Sequence, residues 1–155
     1  MKKTFIICLP VLLIGFLSCK ECPCAPGQLK FDLIGFSDAE ADTFIIRKFE
    51  PTGNFTNKQD SFLIDQVGTV RFHDTLKVVA YPGIALLPGG FDYEIFFPAS
   101  NNVFRITEIN ELMSTQRCGG LFATDKVGCA NTITSFKLDG AIVNPWPFNN
   151  FYIRK

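Results

Sequence analysis

Asp92 and Glu94, two apart in FDYEIFF (Phe91 to Phe97), are the nearest this chain comes to a catalytic pair. Residues two apart in an extended strand share a face. Two carboxylates beside aromatic rings can serve as the acid–base couple of a glycosidase or help ligate calcium. The competing reading is plain alternation, with Asp92 and Glu94 on the solvent face and Phe91, Tyr93 and Ile95 on the other. Alternation is the expectation adopted. A looser acid cluster, Asp38, Glu40 and Asp42, offers oxygens to Ca²⁺ but lacks the spacing of an EF-hand loop. The single histidine, His73, sits in Arg71-Phe72-His73-Asp74. A Ser-His-Asp triad would depend on it wholly, and Asp74, its neighbour, would point to the opposite face of a strand. A surface or hydrogen-bonding role is expected for it. The chain has no G-x-S-x-G, no Walker loop and no dinucleotide fingerprint. No catalytic residue, metal site or cofactor is therefore expected, and the protein is read as a non-enzyme.

Aromatic residues give the remaining chemical hint. Trp146 lies between Pro145 and Pro147, with Phe148 and Tyr152 close behind. Rings left exposed at a loop end stack on sugars or anchor protein partners, so Trp146, Phe148 and Tyr152 form the candidate binding patch. A hydrophobic core competes for them, as it must for most of the 17 Phe.

The elements that would position these residues are short. Leu29 to Phe36, Thr43 to Phe49, Thr75 to Tyr81, Thr132 to Leu138 and Asn150 to Lys155 alternate or are rich in β-branched and aromatic residues, as strands are. Ser61 to Asp65 and Thr69 to Phe72 are weaker strand patterns. Phe91 to Phe97 and Val103 to Ile109 (VFRITEI) flank Pro98-Ala99-Ser100-Asn101-Asn102 and read as a hairpin with a longer loop. Ser37-Asp38-Ala39-Glu40 fits a capping box and one helical turn. Glu50 to Asn54 and Asp139-Gly140 read as turns, Asn54-Phe55-Thr56 as loop, and polar Glu111 to Arg117 as a ragged turn of helix. About eight strands without a sustained helical period predict an all-β protein. The expected fold is a single antiparallel sandwich, immunoglobulin-like or transthyretin-like, with a small β-barrel as the alternative.

The first residues, MKKTFIICLPVLLIGFLSCKECPC, combine Lys2 and Lys3 with an apolar run from Phe5 to Leu17. That run is shorter than the ~20 residues a spanning helix needs and has the layout of a secretory signal. Phe16-Leu17-Ser18-Cys19 resembles the lipobox of bacterial lipoproteins, with Phe16 where that family prefers Leu, Val or Ile. The resemblance implies lipidation of Cys19, cleavage before it, and a palmitate-type lipid anchor in the cell envelope, at the outer membrane. More than one acyl chain makes such anchoring stable. Lys20-Glu21 look like the short charged export tags of surface-displayed lipoproteins, although a solvated tether explains them equally. Segments such as IGFSDAEADTFIIRKF, YEIFFP and FRITEI resemble small uncharacterised surface lipoproteins with β-sandwich bodies, a resemblance that implies no activity. The organisation expected is a signal peptide over residues 1–18, a lipidated flexible tether over 19–28 and a single β-sandwich domain over 29–155.

Export would take Cys8 away with the signal and commit Cys19 to lipid, leaving Cys22, Cys24, Cys118 and Cys129. In an oxidising compartment these four read first as disulfides. Cys118 can close the glycine-containing loop to Cys129, or Cys22 and Cys24 can each bridge to one of them; all three connectivities stay open. A four-thiolate zinc site is the alternative, but C-x-C paired with a ten-residue gap fits zinc poorly. The formal C-x-x-C of Cys19 to Cys22 is cancelled as a redox motif if Cys19 carries lipid.

The whole chain holds 15 basic and 15 acidic residues, and loss of residues 1–18 removes two lysines and no acid. The mature charge near −2 offers no basic surface for nucleic acid. The function expected is a lipid-anchored envelope lipoprotein acting as a non-enzymatic binding or structural module. Its partners would be the membrane, through the anchor, and an envelope protein or glycan. A glycan- or peptide-binding module using the loop aromatics is the alternative, and a small carboxylate-based hydrolase ranks below it.

Overall fold

A computed structural model of the protein describes residues 20–65, 68–78, 86–118, 129–145 and 149–155. The backbone of Lys20, Glu21, Cys22 and residues 116–118 is described, but not their side chains. Cys19, Trp146 and Phe148 lie outside the described residues.

The chain separates into two compact units, residues 1–25 with 113–130, and residues 26–112 with 131–155. In the smaller unit, β1 (Lys20–Pro23) pairs antiparallel with β10 (Thr115–Cys118). Cys24 is bonded to Cys129, its amide donates to the Ser114 carbonyl, and Ala25 bridges to Ala130. Two of the four thiols are thus consumed by one disulfide, which removes the four-thiolate zinc alternative. Residues 20–23, expected in a flexible tether, are strand β1. Residues 111–117, expected as a ragged helical turn, are instead the end of one strand and most of β10. Their polarity does not mark a helix, because pairing is decided by backbone partners that a polar sequence does not reveal.

The larger unit is an all-β sandwich. One sheet has six strands in the order β12-β11-β9-β8-β3-β4: Ala141–Val143, Thr132–Leu138, Asn102–Leu112, Asp92–Phe97, Phe44–Phe49 and Lys58–Ile64. Its pairings are all antiparallel. The other runs β13-β2-β6-β5: Asn150–Arg154, Gln28–Ile34, Thr75–Val78 and Thr69–Phe72, with β7 (Leu87–Pro88) pairing on β2. Neither sheet closes on itself, so the small-barrel alternative is set aside. One pairing departs from the antiparallel expectation: β13 runs parallel to β2. Short hairpins cannot produce a parallel neighbour; the C-terminal strand returns from the other sheet to make this one.

The core follows from alternation. Phe44, Ile46, Ile95, Phe97 and Ile106 face inward from the six-stranded sheet; Leu29, Phe31, Leu33, Leu76, Phe151 and Ile153 face them from the other. A run of ring contacts crosses the sandwich, Phe136–Phe151 at 4.7 Å, Phe31–Phe151 at 6.0 Å, Phe31–Phe44 at 5.5 Å and Phe44–Phe97 at 5.5 Å. Edge-to-face and tilted pairs of this kind contribute about 0.5–1.5 kcal/mol each beyond area burial. Phe36, after β2, closes that end by packing on Phe97 and Phe104. The single helix among the described residues, α1 (Asp38–Ala41), has the expected capping box: Ser37 and Glu40 each accept from the other's backbone amide. At the opposite end Gly27 is required by proximity. A Cβ there would stand 2.7 Å from the Asn131 carbonyl oxygen and 2.8 Å from Ile133.

Candidate functional site

Adjacent residues on a strand point to opposite faces, so the pair Arg47-Lys48 in β3 must send one cation out and the other in. Register decides which. Arg47 pairs with Glu94 and Lys48 with Tyr93, whose side chain is buried in the core. Arg47 therefore lies on the outer face and Lys48 on the inner one.

On the outer face the carboxylates of β8 are not solvated. Asp92 is 2% exposed and Glu94 is 7% exposed. This corrects the expectation that alternation leaves them facing water. Glu94 stands between Arg47 of β3 and Arg105 of β9 in one cross-strand row. Arg47 donates to Glu94 Oε1, and Arg105 Nε donates to Oε2 at 3.2 Å. Asp92 Oδ2 accepts from the Gly53 amide at 2.6 Å. Gly53 belongs to the 50–57 loop, which folds back over this face. Asn54 ties that loop together by accepting from Thr52 and Thr56. Phe55 then packs edge-on against Phe49 at 5.3 Å, and the Arg105 guanidinium lies 5.1 Å from the Phe55 ring. Arg47 lies likewise over Phe96. Each carboxylate accepts from a donor of another segment. An acid–base couple needs a group free to meet a substrate proton, whereas both of these carboxylates are buried and held by donors of the fold.

The other sequence candidates separate. Tyr152 lies on the outer face of the smaller sheet, 42% exposed, opposite Asp32 and beside Asn150. Trp146 and Phe148 are outside the described residues. His73 takes φ +59° in the turn between β5 and β6 and packs against Phe72, as a surface residue. Asp38 pairs with Arg71 at 2.8 Å. Glu40 accepts from Ser37 and pairs with Lys155, and these contacts, the Lys155 hydrogen bond first, bring its pKa down to about 2. That acid cluster therefore serves the capping of α1 and the docking of the C-terminus. Among the described residues no three His, Cys, Asp or Glu gather into a metal site.

The inner face holds the site that the sequence reading missed. A chamber of about 170 Å³ is lined by Ile46, Lys48, Phe62, Leu86, Leu87, Pro88 and Tyr93. The Tyr93 hydroxyl donates to the Pro88 carbonyl at 2.7 Å, and burial pushes its pKa up. Lys48 Nζ sits 3.5 Å from the centre of the Phe91 ring. Its cross-strand neighbour is Asp60, whose Oδ1 accepts from the Ser61 amide at 2.8 Å. Among the described residues Lys48 makes no ion pair. A wall of aliphatic and aromatic carbon with one ammonium is the arrangement of a small-ligand pocket. The signal was present in the sequence, since two adjacent cations in a strand cannot both reach water on one face.

No family model, characterised protein or solved structure matches this chain.

Proposed function

We propose that the protein is a lipid-anchored, non-enzymatic binding module of the cell envelope, held at the outer membrane through Cys19. The observation that carries this reading is the Cys24–Cys129 disulfide, five residues beyond the lipobox-like Phe16-Leu17-Ser18-Cys19. Disulfides persist in oxidising compartments, where a signal of the kind formed by residues 1–18 delivers its cargo. The condition of the acids supports the non-enzymatic part: Asp92 and Glu94 are committed to Gly53, Arg47 and Arg105. The open chamber at Lys48 supports binding rather than a purely structural role.

Metabolic labelling with an alkyne fatty acid tests the anchor directly. The wild-type chain should take up label and sediment with membranes, and its N-terminus should be an acylated cysteine by mass spectrometry. Cys19→Ala should take up none. An unlabelled wild-type chain, or label that persists in Cys19→Ala, overturns the proposal.

A further inference from the structure

We infer that the chamber beneath Tyr93 is a binding site for a small hydrophobic carboxylate, an aryl or short acyl acid. Its apolar body would fill the chamber and its carboxylate would meet the Lys48 ammonium. This deepens the binding role proposed above without depending on the lipid anchor.

The reasoning starts from the position of Lys48. Its register with buried Tyr93 brings an ammonium to the inner face of the sheet. Lys48 is half-buried there, and a charge drawn partly out of water gains from a partner. The compensation seen is the Phe91 ring face, 3.5 Å away. A cation–π contact contributes about 0.5–2 kcal/mol depending on desolvation, whereas a charge-assisted hydrogen bond to a carboxylate is among the strongest side chains form. Asp60, the acid directly across the strand pair, is exposed, accepts from the Ser61 amide through Oδ1 and makes no ion pair with Lys48. The other titratable group facing the chamber, Tyr93, spends its hydroxyl proton on the Pro88 carbonyl. Among the described side chains that line the chamber, Lys48 is the one cation and the Tyr93 hydroxyl the one other polar group. Phosphate and sulfate want several donors, so a monoanion suits it better.

Size and lining select the rest of the ligand. The side chains of Ile46, Phe62, Leu86, Leu87 and Pro88 are apolar and make most of the walls. A volume of about 170 Å³ compares with the ~150 Å³ apolar cavities that admit a benzene ring. One ring or a short branched chain fits that volume.

The test uses the full-length protein in nonionic detergent, titrated calorimetrically with benzoate and hexanoate and with their neutral counterparts, benzyl alcohol and hexanol. At least one acid should bind saturably and about tenfold more tightly than its alcohol, a ratio set by one charge-assisted hydrogen bond. Lys48→Gln should remove that tenfold preference, so that acid and alcohol bind alike to a chain still folded by circular dichroism, and Lys48→Arg should restore it. Leu86→Trp, which narrows the chamber from its rim, should weaken acid and alcohol alike. Absence of saturable binding to the wild-type chain, equal affinity for acid and alcohol, or unaltered acid binding in Lys48→Gln each overturns the inference. Label at Cys19 is read separately, so loss of the ligand site and loss of the anchor are distinguishable.

Discussion

The two faces of the sheet formed by β3, β8 and β9 carry the same kinds of residue and treat them in opposite ways. Outside, Glu94 is a buried carboxylate with a guanidinium on each side, and Asp92 is closed over by the amide of Gly53. Inside, Lys48 is a cation among Ile46, Phe62, Leu87 and Tyr93 with an aromatic ring as its partner. The outer charges are partnered within the fold and tie strands and loop together. The inner charge is incomplete, and incompleteness is what gives a pocket something to offer. Burial alone does not separate structural from functional charge; the number of partners does.

The comparison can be broken first at its apolar reference. Phe97 lies fully buried on the inner face against Phe36, Phe44 and Phe104. Phe97→Ala should cost about 3–5 kcal/mol in denaturant unfolding, through lost transfer energy and an unfilled cavity. A loss below about 1 kcal/mol would mean that this end of the core is not packed as described.

Next in size is the outer row. Glu94→Gln leaves two guanidiniums facing each other without their counter-charge. Because Arg47 and Arg105 remain partly exposed, water relieves much of the strain and the cost should be about 1–2 kcal/mol. Arg47→Ala should then cost less in the Glu94→Gln background than alone, since the shared interaction is already gone. Strict additivity in this double-mutant cycle would show that the row is ornamental.

Gly53→Ala sharpens the role of the covering loop. Gly53 has φ +72°, and a Cβ there would touch nothing within 4 Å. The penalty is purely conformational, about 1 kcal/mol, and should appear as lower stability and greater solvent exchange at the amide that donates to Asp92. An unchanged exchange rate would argue that the loop is not pinned by that bond.

The smallest effect concerns Glu40, a half-buried contrast to Glu94. Its folded pKa, about 2, lies below its ordinary 4.5 because Lys155 and Ser37 bond the ionised form. A lowered folded pKa means that the contribution is present above about pH 4.5 and fades as pH falls towards 2. An NMR titration of the Glu40 carboxyl should show the low midpoint, and Lys155→Gln should move it back up. A midpoint unaltered by that substitution would assign the shift to Ser37 alone.

Much of the fold was legible because its signals are local. Phe91 to Phe97 and Val103 to Ile109 announce a hairpin by alternation on either side of a turn-rich segment, and β8 and β9 form it. Ser37 and Glu40, three apart, announce the cap that α1 has. Residues 111–117 misled because polar strands lack the apolar half of the pattern. The candidate site was less legible. Asp92 and Glu94 were noticed, but their burial depends on Arg47, Arg105 and Gly53, which arrive from two other strands and a loop. Lys48 was passed over, although its place beside Arg47 already required one of the two to turn inward.

By itself, then, the order of residues determined the all-β class, the main strands, the turn after Phe49 and the cap at Ser37, because each follows from side-chain period and backbone preference within a few residues. Only the tertiary structure decided that β13 joins β2 in parallel, that Cys24 meets Cys129, that the acids of β8 are enclosed and that Lys48 faces a chamber. Those outcomes depend on which distant strands become neighbours, and pairing energy is spread over partners that no local pattern names.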